Sequence, residues 1–261
     1  MSFQTFSLYQ LGWRLEYAQH LTLADFEAGY PARVIAVHRH GLSVLSSRGY
    51  VSVVLPHHLI DTEVALGDWV LVEHDAQRVL RLVERRSLIA RVIEGSDCRR
   101  QVMAANIDTL FVVSSCNDDF RLPRLGRYLT LALDAGVTPV IVLTKADQSA
   151  AVDADVALVA SRMPGIAVIA VNLGTHDAAS PLSPWLAPGQ TVAFAGPSGT
   201  GKSTLVNHVT DDLELQHAAA RGMVPASSGA WVIDTAEMRE LCFSAPEWNQ
   251  GEVSGAIEAL V

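Results

Sequence analysis

The sequence predicts an α/β fold: a mostly parallel sheet with helices on both faces, preceded by a small OB-like β-barrel. Three observations carry this expectation. Short Val- and Leu-rich strands separated by turn residues fill residues 31–86. After about residue 100, continuous apolar strands alternate with helices. Gly196–Ser203 then spells a phosphate-loop motif between a strand and a helix.

Composition bounds the answer. The chain has 261 residues, 49% hydrophobic and 18% charged, which is a globular balance. Its apolar runs, such as Val140–Leu143 and Leu110–Val113, are too short to span a bilayer, so no membrane partner is expected. Met1–Gln10 lacks the basic-then-apolar pattern of a secretory signal. Cys98, Cys116 and Cys242 lie far apart with no C-x-x-C pair, which predicts a reduced, cytoplasmic setting. The net charge of −9 argues against a general nucleic-acid binder. Between Arg78 and Arg100, however, seven arginines face three acidic residues, a local excess of +4. That segment reads either as a solvated linker or as an RNA-facing stripe.

Taken in order, Leu21–Phe26 starts a short helix within an N-terminal extension, residues 1–30. Arg33–Val37, Leu42–Ser46, Tyr50–Leu55, Asp68–Glu73 and Val79–Val83 are the strands of a barrel over 31–90, with Gly41, Gly49, Pro56 and Gly67 between them. An OB fold leads, and an SH3-like barrel stays open. His57-His58 reads as a loop pair, and His38 and His40 as surface residues. Residues 100–245 form the second domain. Thr109–Ser114, Thr138–Thr144, Ile166–Val171, Thr191–Ala195 and Ala230–Asp234 are its strands, apolar enough to be buried on both faces. Pro123–Ala135, Asp153–Met163 and Lys202–Val209 are its helices, and Pro181–Gly189 is a stiff connector. A C-terminal helix is expected over 246–261.

Gly196-Pro197-Ser198-Gly199-Thr200-Gly201-Lys202-Ser203 fits the pattern G-x-x-x-x-G-K-S/T. Glycines let backbone N–H groups turn inward around phosphate oxygens, and the helix start near Gly201 adds its dipole. Thr204 continues the cradle. Lys202 is placed to reach the β- and γ-phosphates, and the Ser203 hydroxyl to ligate Mg2+. The bland alternative is a glycine-rich turn without a ligand.

Thr144-Lys145-Ala146-Asp147 ends the strand before a second loop. A carboxylate there accepts from both the ring imide N–H and the exocyclic amine of guanine, a donor pair that adenine lacks. The Lys145 stem covers the base plane. The expected ligands are therefore GTP or GDP with Mg2+. An ATP-dependent kinase or ATPase, supported by the phosphate loop alone, leaves Asp147 unexplained.

In ordinary GTPases the phosphate loop precedes the base motif. Here Asp147 comes before Gly196, so the domain is circularly permuted. With the preceding barrel, with Asn106–Thr109, Arg124–Leu129, Thr144–Asp147, Gly196–Asn207 and Ile233–Leu241, the chain resembles the ribosome small-subunit-dependent GTPase A family (RsgA, also called YjeQ). The resemblance covers most of the chain. It implies an OB barrel, a permuted P-loop GTPase domain and GTP hydrolysis in late maturation of the small ribosomal subunit. It implies binding of that subunit and its rRNA by a monomer. Lys202 and Asp234 are then the catalytic residues, Ser203 and Asp234 hold the metal, and Asn172 joins the base site.

The sequence departs from the family at four places. Ala220-Arg221-Gly222 runs directly into Met223-Val224-Pro225, without the family's His and threonine run. Asp234-Thr235-Ala236-Glu237 replaces Asp-Thr-Pro-Gly. Asn172-Leu173-Gly174 stands where the family usually shows Ser-Ala. The family's zinc domain would lie beyond Val261, to which residues 246–261 would lead, so zinc is not expected in this chain. These departures motivate a second expectation, a nucleotide-binding relative with little or no hydrolysis.

Overall fold

The computed structural model describes residues 5–39, 41–60, 63–93, 99–116, 122–210 and 222–234. Thr204–Asn207 and Asp234 fall inside these ranges, whereas Thr235–Glu237 and the expected helix over 246–261 lie outside them.

Two short helices, α1 (Leu15–Ala18) and α2 (Leu23–Ala28), lead into the first sheet. A capping box begins α2: the Thr22 hydroxyl accepts from Asp25 N–H while the Asp25 carboxylate accepts from Thr22 N–H. The strands are β1 (Gly29–His38), β2 (Gly41–Ser46), β3 (Gly49–Val53), β4 (Trp69–Glu73) and β5 (Val79–Leu82). Their order is β3-β2-β1-β4-β5, antiparallel throughout. A parallel bridge from Val54 to Arg78 joins the two edges. There Val54 N–H donates to the Gln77 carbonyl at 2.9 Å and Val79 N–H to the Val54 carbonyl at 3.1 Å. The sheet is thus closed, and with α3 (His57–Ile60) between β3 and β4 its connectivity is that of an OB barrel. Val34, Val44, Val53, Val70, Val72 and Val79 fill the interior. The pair expected as a loop, His57-His58, begins α3 instead.

The segment after Val83 differs from the expectation of a linker. β6 (Leu88–Ile93) pairs antiparallel with β7 (Arg99–Ala105). Four of the segment's arginines are held by carboxylates of the chain itself: Arg78 by Glu73, Arg81 by Asp25, Arg85 by Asp68 and Arg86 by Asp108. The local positive excess is therefore largely balanced by acidic neighbours that lie outside the segment in sequence.

The second sheet has the order β10-β9-β8-β11-β13-β12, built from β8 (Thr109–Ser115), β9 (Thr138–Thr144), β10 (Ala167–Ala170), β11 (Thr191–Ala195), β12 (Met223–Pro225) and β13 (Trp231–Ile233). Every neighbouring pair is parallel except β12 with β13. Alternate residues enter opposite layers, as strand pleating requires. Leu110, Val112, Ile141, Leu143 and Ala193 meet α4 (Leu122–Asp134) and α5 (Val152–Arg162) through Leu125, Leu129 and Val159. Phe111, Val113, Val140, Val142 and Phe194 meet α6 (Lys202–Val209) through Leu205, Val206 and Val209. The expected connector contains a 3-10 helix, Ser180–Trp185, whose Leu182 is fully buried in this second layer.

One buried cation joins the barrel to this sheet. Arg33 on β1 is 1% exposed. Its guanidinium donates to the Leu11 carbonyl, to the Asn106 carbonyl at 3.2 Å and to the Thr191 hydroxyl at 2.7 Å. Burial pulls its pKa down to about 10, so it remains charged at neutral pH and needs these acceptors. Beside it, the Asp108 carboxylate accepts from Arg14 at 2.6 Å, Arg86 at 3.1 Å and Thr191 N–H at 2.8 Å. Replacing Arg33 by Met keeps the apolar stem but strands three acceptors. Urea unfolding should show a loss of about 2–4 kcal/mol. An unchanged midpoint would contradict this role.

Candidate functional site

The strand β11 is buried along its whole length and delivers Gly196 at its carboxyl end. Only glycine fits there, because a Cβ would lie 2.1 Å from the Val113 carbonyl oxygen and φ is +145°. Gly201 caps α6 with φ +86°, and a Cβ on it would meet Leu173 Cδ1 at 2.3 Å. Within this loop the Thr200 hydroxyl donates to the Pro197 carbonyl at 2.9 Å. The Lys202 ammonium donates to the carbonyls of Gly196 at 2.7 Å and Pro197 at 2.6 Å. The sequence around Gly196–Ser203 thus folds into a nest whose lysine is held by the loop's own carbonyls.

The base-motif loop leaves β9 at the same edge of the sheet. Lys145 adopts the left-handed conformation, φ +56°, and turns the chain into a short 3-10 helix, Ala146–Gln148. Ala146 N–H donates to the Val171 carbonyl at 3.3 Å, which anchors this loop to the end of β10. Thr144 is fully buried, and its hydroxyl reaches the Thr200 carbonyl at 2.6 Å and the Ser114 carbonyl at 3.2 Å. A hydroxyl has one proton to give, so the shorter contact, to the phosphate loop, is the stronger. This bond ties the two motifs directly together.

Between them lies a cleft of about 760 Å³. Lys145, Asp147 and Gln148 line one end, and Ser198, Gly199, Gly201, Lys202, Ser203 and Thr204 the other. Leu173 and Gly174 form a wall between the ends. The Lys202 ammonium and the N-terminus of α6 make the phosphate end electropositive, while Lys145 and Asp147 put an ammonium and a carboxylate at the far end. The arrangement suits a ligand with anionic groups at one end and a planar hydrogen-bond donor at the other.

The remaining candidate residues take supporting places. Thr144, Ala146, Gly196, Pro197 and Thr200 shape the two loops from behind the lining. Asn172 does not line the cleft. Its side-chain oxygen instead accepts from Gly174 N–H at 2.8 Å, forming a turn. Asp234 follows β13, which pairs with β11, and its N–H donates to the Gly222 carbonyl at 3.3 Å. It stands beside the strand that carries the phosphate loop rather than in the lining. Gln148, Leu173 and Gly174 were absent from the sequence-based set. Leu173 and Gly174 adjoin Asn172, but an apolar residue and a glycine carry no chemical signature that marks a wall.

A family model described as RsgA GTPase matches residues 82–243. The protein named small ribosomal subunit biogenesis GTPase RsgA 2 from Vibrio vulnificus is 39% identical over 272 residues, covering 99% of this chain and 77% of that relative. Small ribosomal subunit biogenesis GTPase RsgA from Mesorhizobium japonicum is 40% identical, covering 90% of this chain and 72% of the relative. Among solved structures, YjeQ from Thermotoga maritima superposes with a TM-score of 0.66 at 20% identity, covering 82% of this chain and 76% of its own. YloQ, described as a circularly permuted GTPase, gives 0.59 at 18% identity, covering 88% and 89%. At these identities the two structures share the fold.

The Thr144 bond yields a direct expectation. Thr144→Val keeps shape but removes the side-chain proton that Thr144 offers to the Thr200 carbonyl. Thermal unfolding should fall by about 1–2 kcal/mol of stability, and GDP affinity by about tenfold in titration calorimetry. Wild-type affinity in this variant would show that the two loops hold their positions without the bond.

Proposed function

We propose, because the chain belongs to the RsgA GTPase family, that the cleft between Lys145–Asp147 and Gly196–Thr204 binds GTP and hydrolyses it during maturation of the small ribosomal subunit. The observation that carries this reading is that Asp147 and Lys202 line one cleft, with their loops joined through Thr144.

Guanine donates from its ring N–H and its exocyclic amine to the Asp147 carboxylate, a charge-assisted pair. The Lys145 stem lies along the base, and the left-handed turn at that residue brings stem and carboxylate to the same end of the cleft. The phosphates take the N–H groups of Ser198–Thr204 and the positive end of α6. Lys202 exchanges the Gly196 and Pro197 carbonyls for β- and γ-phosphate oxygens, where its charge offsets the charge that builds during transfer. Ser203, whose hydroxyl borders the phosphate end, and Asp234, at the end of β13, are a sparse oxygen pair of the kind Mg2+ accepts beside phosphate and water. When bound there, magnesium supplies further neutralisation of the phosphate oxygens. In hydrolysis, water oxygen bonds to the γ-phosphorus, the bond to the bridging oxygen breaks, and GDP leaves with that electron pair.

In this reading residues 31–90 are a barrel unit, 100–245 the GTPase unit, and 1–30 an extension that packs on both. The partner is the small ribosomal subunit, in keeping with the names of the relatives. Contact with its rRNA, action as a monomer and a cytoplasmic location complete the proposal. Asn172 serves the base site only by shaping the wall.

Asp147→Ala should weaken GDP binding by about 100-fold while leaving ADP binding unchanged, measured by competition against a fluorescent nucleotide. Lys202→Ala should lower subunit-stimulated phosphate release by about 100-fold or more, with the circular dichroism spectrum preserved. Equal loss of GDP and ADP binding in the Asp147 variant would remove the guanine assignment. Wild-type phosphate release that small subunits leave unchanged would remove the ribosomal one.

A further inference from the structure

The loop that walls the cleft is held from below by a side chain that the nucleotide reading leaves unused. His208, in the last turn of α6, places Nε2 3.2 Å from the carbonyl oxygen of Leu173. A carbonyl only accepts, so Nε2 carries the proton in this contact. The same helix begins with Lys202 and Ser203 at the phosphate end. One short helix therefore bears both part of the phosphate cradle and a strut to the adjoining wall at Leu173.

Leu173 is fixed at a second point. Its Cδ1 packs so closely on Gly201 that any side chain there would meet it at 2.3 Å. The loop's internal bonds, Asn172 Oδ1 with Gly174 N–H at 2.8 Å and the Thr175 hydroxyl with the Asn172 carbonyl at 2.9 Å, set its shape. They do not set its place against α6. His208 and the Leu173–Gly201 contact do.

We propose that His208 is a positioning residue for guanine specificity. Through the Leu173 carbonyl it sets the 172–174 wall at the distance from Asp147 that keeps a purine seated on the carboxylate. This rests on the reading that guanine occupies the Asp147 end of the cleft. A slack wall lets the base drift and weakens both hydrogen bonds to Asp147. Adenine makes neither bond, so its binding is indifferent to the wall.

The test uses the full chain, with displacement of a fluorescent GDP analogue by GDP and by ADP. His208→Leu should raise the GDP dissociation constant about five- to tenfold and leave that of ADP unchanged, so the guanine-over-adenine ratio falls by the same factor. His208→Gln, whose amide can donate to the same carbonyl, should recover most of the ratio. Where the leucine variant fails a melting-temperature check, His208→Ala carries the comparison. A ratio unchanged in a folded variant, or equal losses for GDP and ADP, overturns the proposal and leaves the guanine site standing. A wild-type protein that does not prefer GDP to ADP overturns both.

Discussion

A single hydroxyl bridges the two halves of the nucleotide cleft. Thr144 and Thr200 are 56 residues apart, yet their contact closes at 2.6 Å. The sheet makes this possible. The chain runs β8, β9, β10 toward one edge, then crosses to β11 on the far side of β8 and continues to β13. The strand order therefore reverses between β8 and β11. In an open parallel sheet the crevice outside the carboxyl ends at such a reversal is where ligands bind. The loops after β9 and β11 both emerge at that edge, with only β8 between them. The Thr144 hydroxyl spans that one-strand gap, and Ser114 on β8 supplies its second acceptor.

The opposite end of β11 is equally constrained. Thr191 opens that strand, and its hydroxyl and N–H are taken by Arg33 and Asp108. The strand has five residues, so the phosphate loop begins only roughly 17 Å from this polar knot. Arg33 belongs to the barrel, Arg14 to the N-terminal segment and Arg86 to the connection between barrel and sheet, and all converge on Asp108 or Thr191. A buried guanidinium is costly unless its donors are met, so few relative placements of the barrel satisfy it. The barrel is consequently docked against the foot of the strand whose head leads into Gly196.

Much of this was legible in the sequence because its signals are local. Thr138–Thr144 and Thr191–Ala195 are continuous apolar runs apart from their terminal threonines, and both are found as strands with those bounds. Gly196–Ser203 specifies its own backbone through glycine. The hairpin of β6 and β7 was not legible, because its strands are interrupted by arginines and its partners are fixed by pairing rather than by pattern. The acidic partners of the arginine stripe were hidden for a related reason. Asp25, Asp68 and Asp108 come to these arginines through tertiary structure, and Glu73 lies just before the counted segment, so a charge count over Arg78–Arg100 includes none of them. The wall at Leu173 and its support by His208 were invisible on the same grounds, since a leucine in a loop and a histidine on a helix are individually unremarkable. Asn172 was singled out because it stands where the resembled family shows Ser-Ala, and the fold uses its side chain on the Gly174 N–H.

The lysine at the phosphate end shows how the cleft is prepared for its ligand. Lys202 is 6% exposed, and an ammonium so placed requires acceptors whether or not phosphate is present. The Gly196 and Pro197 carbonyls meet that requirement without any change in the loop's fold. Moving to phosphate oxygens exchanges neutral acceptors for charged ones, so hydrogen bonds are conserved while Coulomb attraction is gained. The reorganisation is confined to one flexible side chain, because Gly196, Thr200 and Gly201 are already fixed by Val113, Thr144 and Leu173. Binding energy is then directed to the phosphates rather than to building the loop, which is the physical meaning of a preorganised site. The base end follows the same logic: the turn at Lys145 and the wall at Leu173 stand in place before a purine arrives, each anchored to a neighbouring strand or to α6.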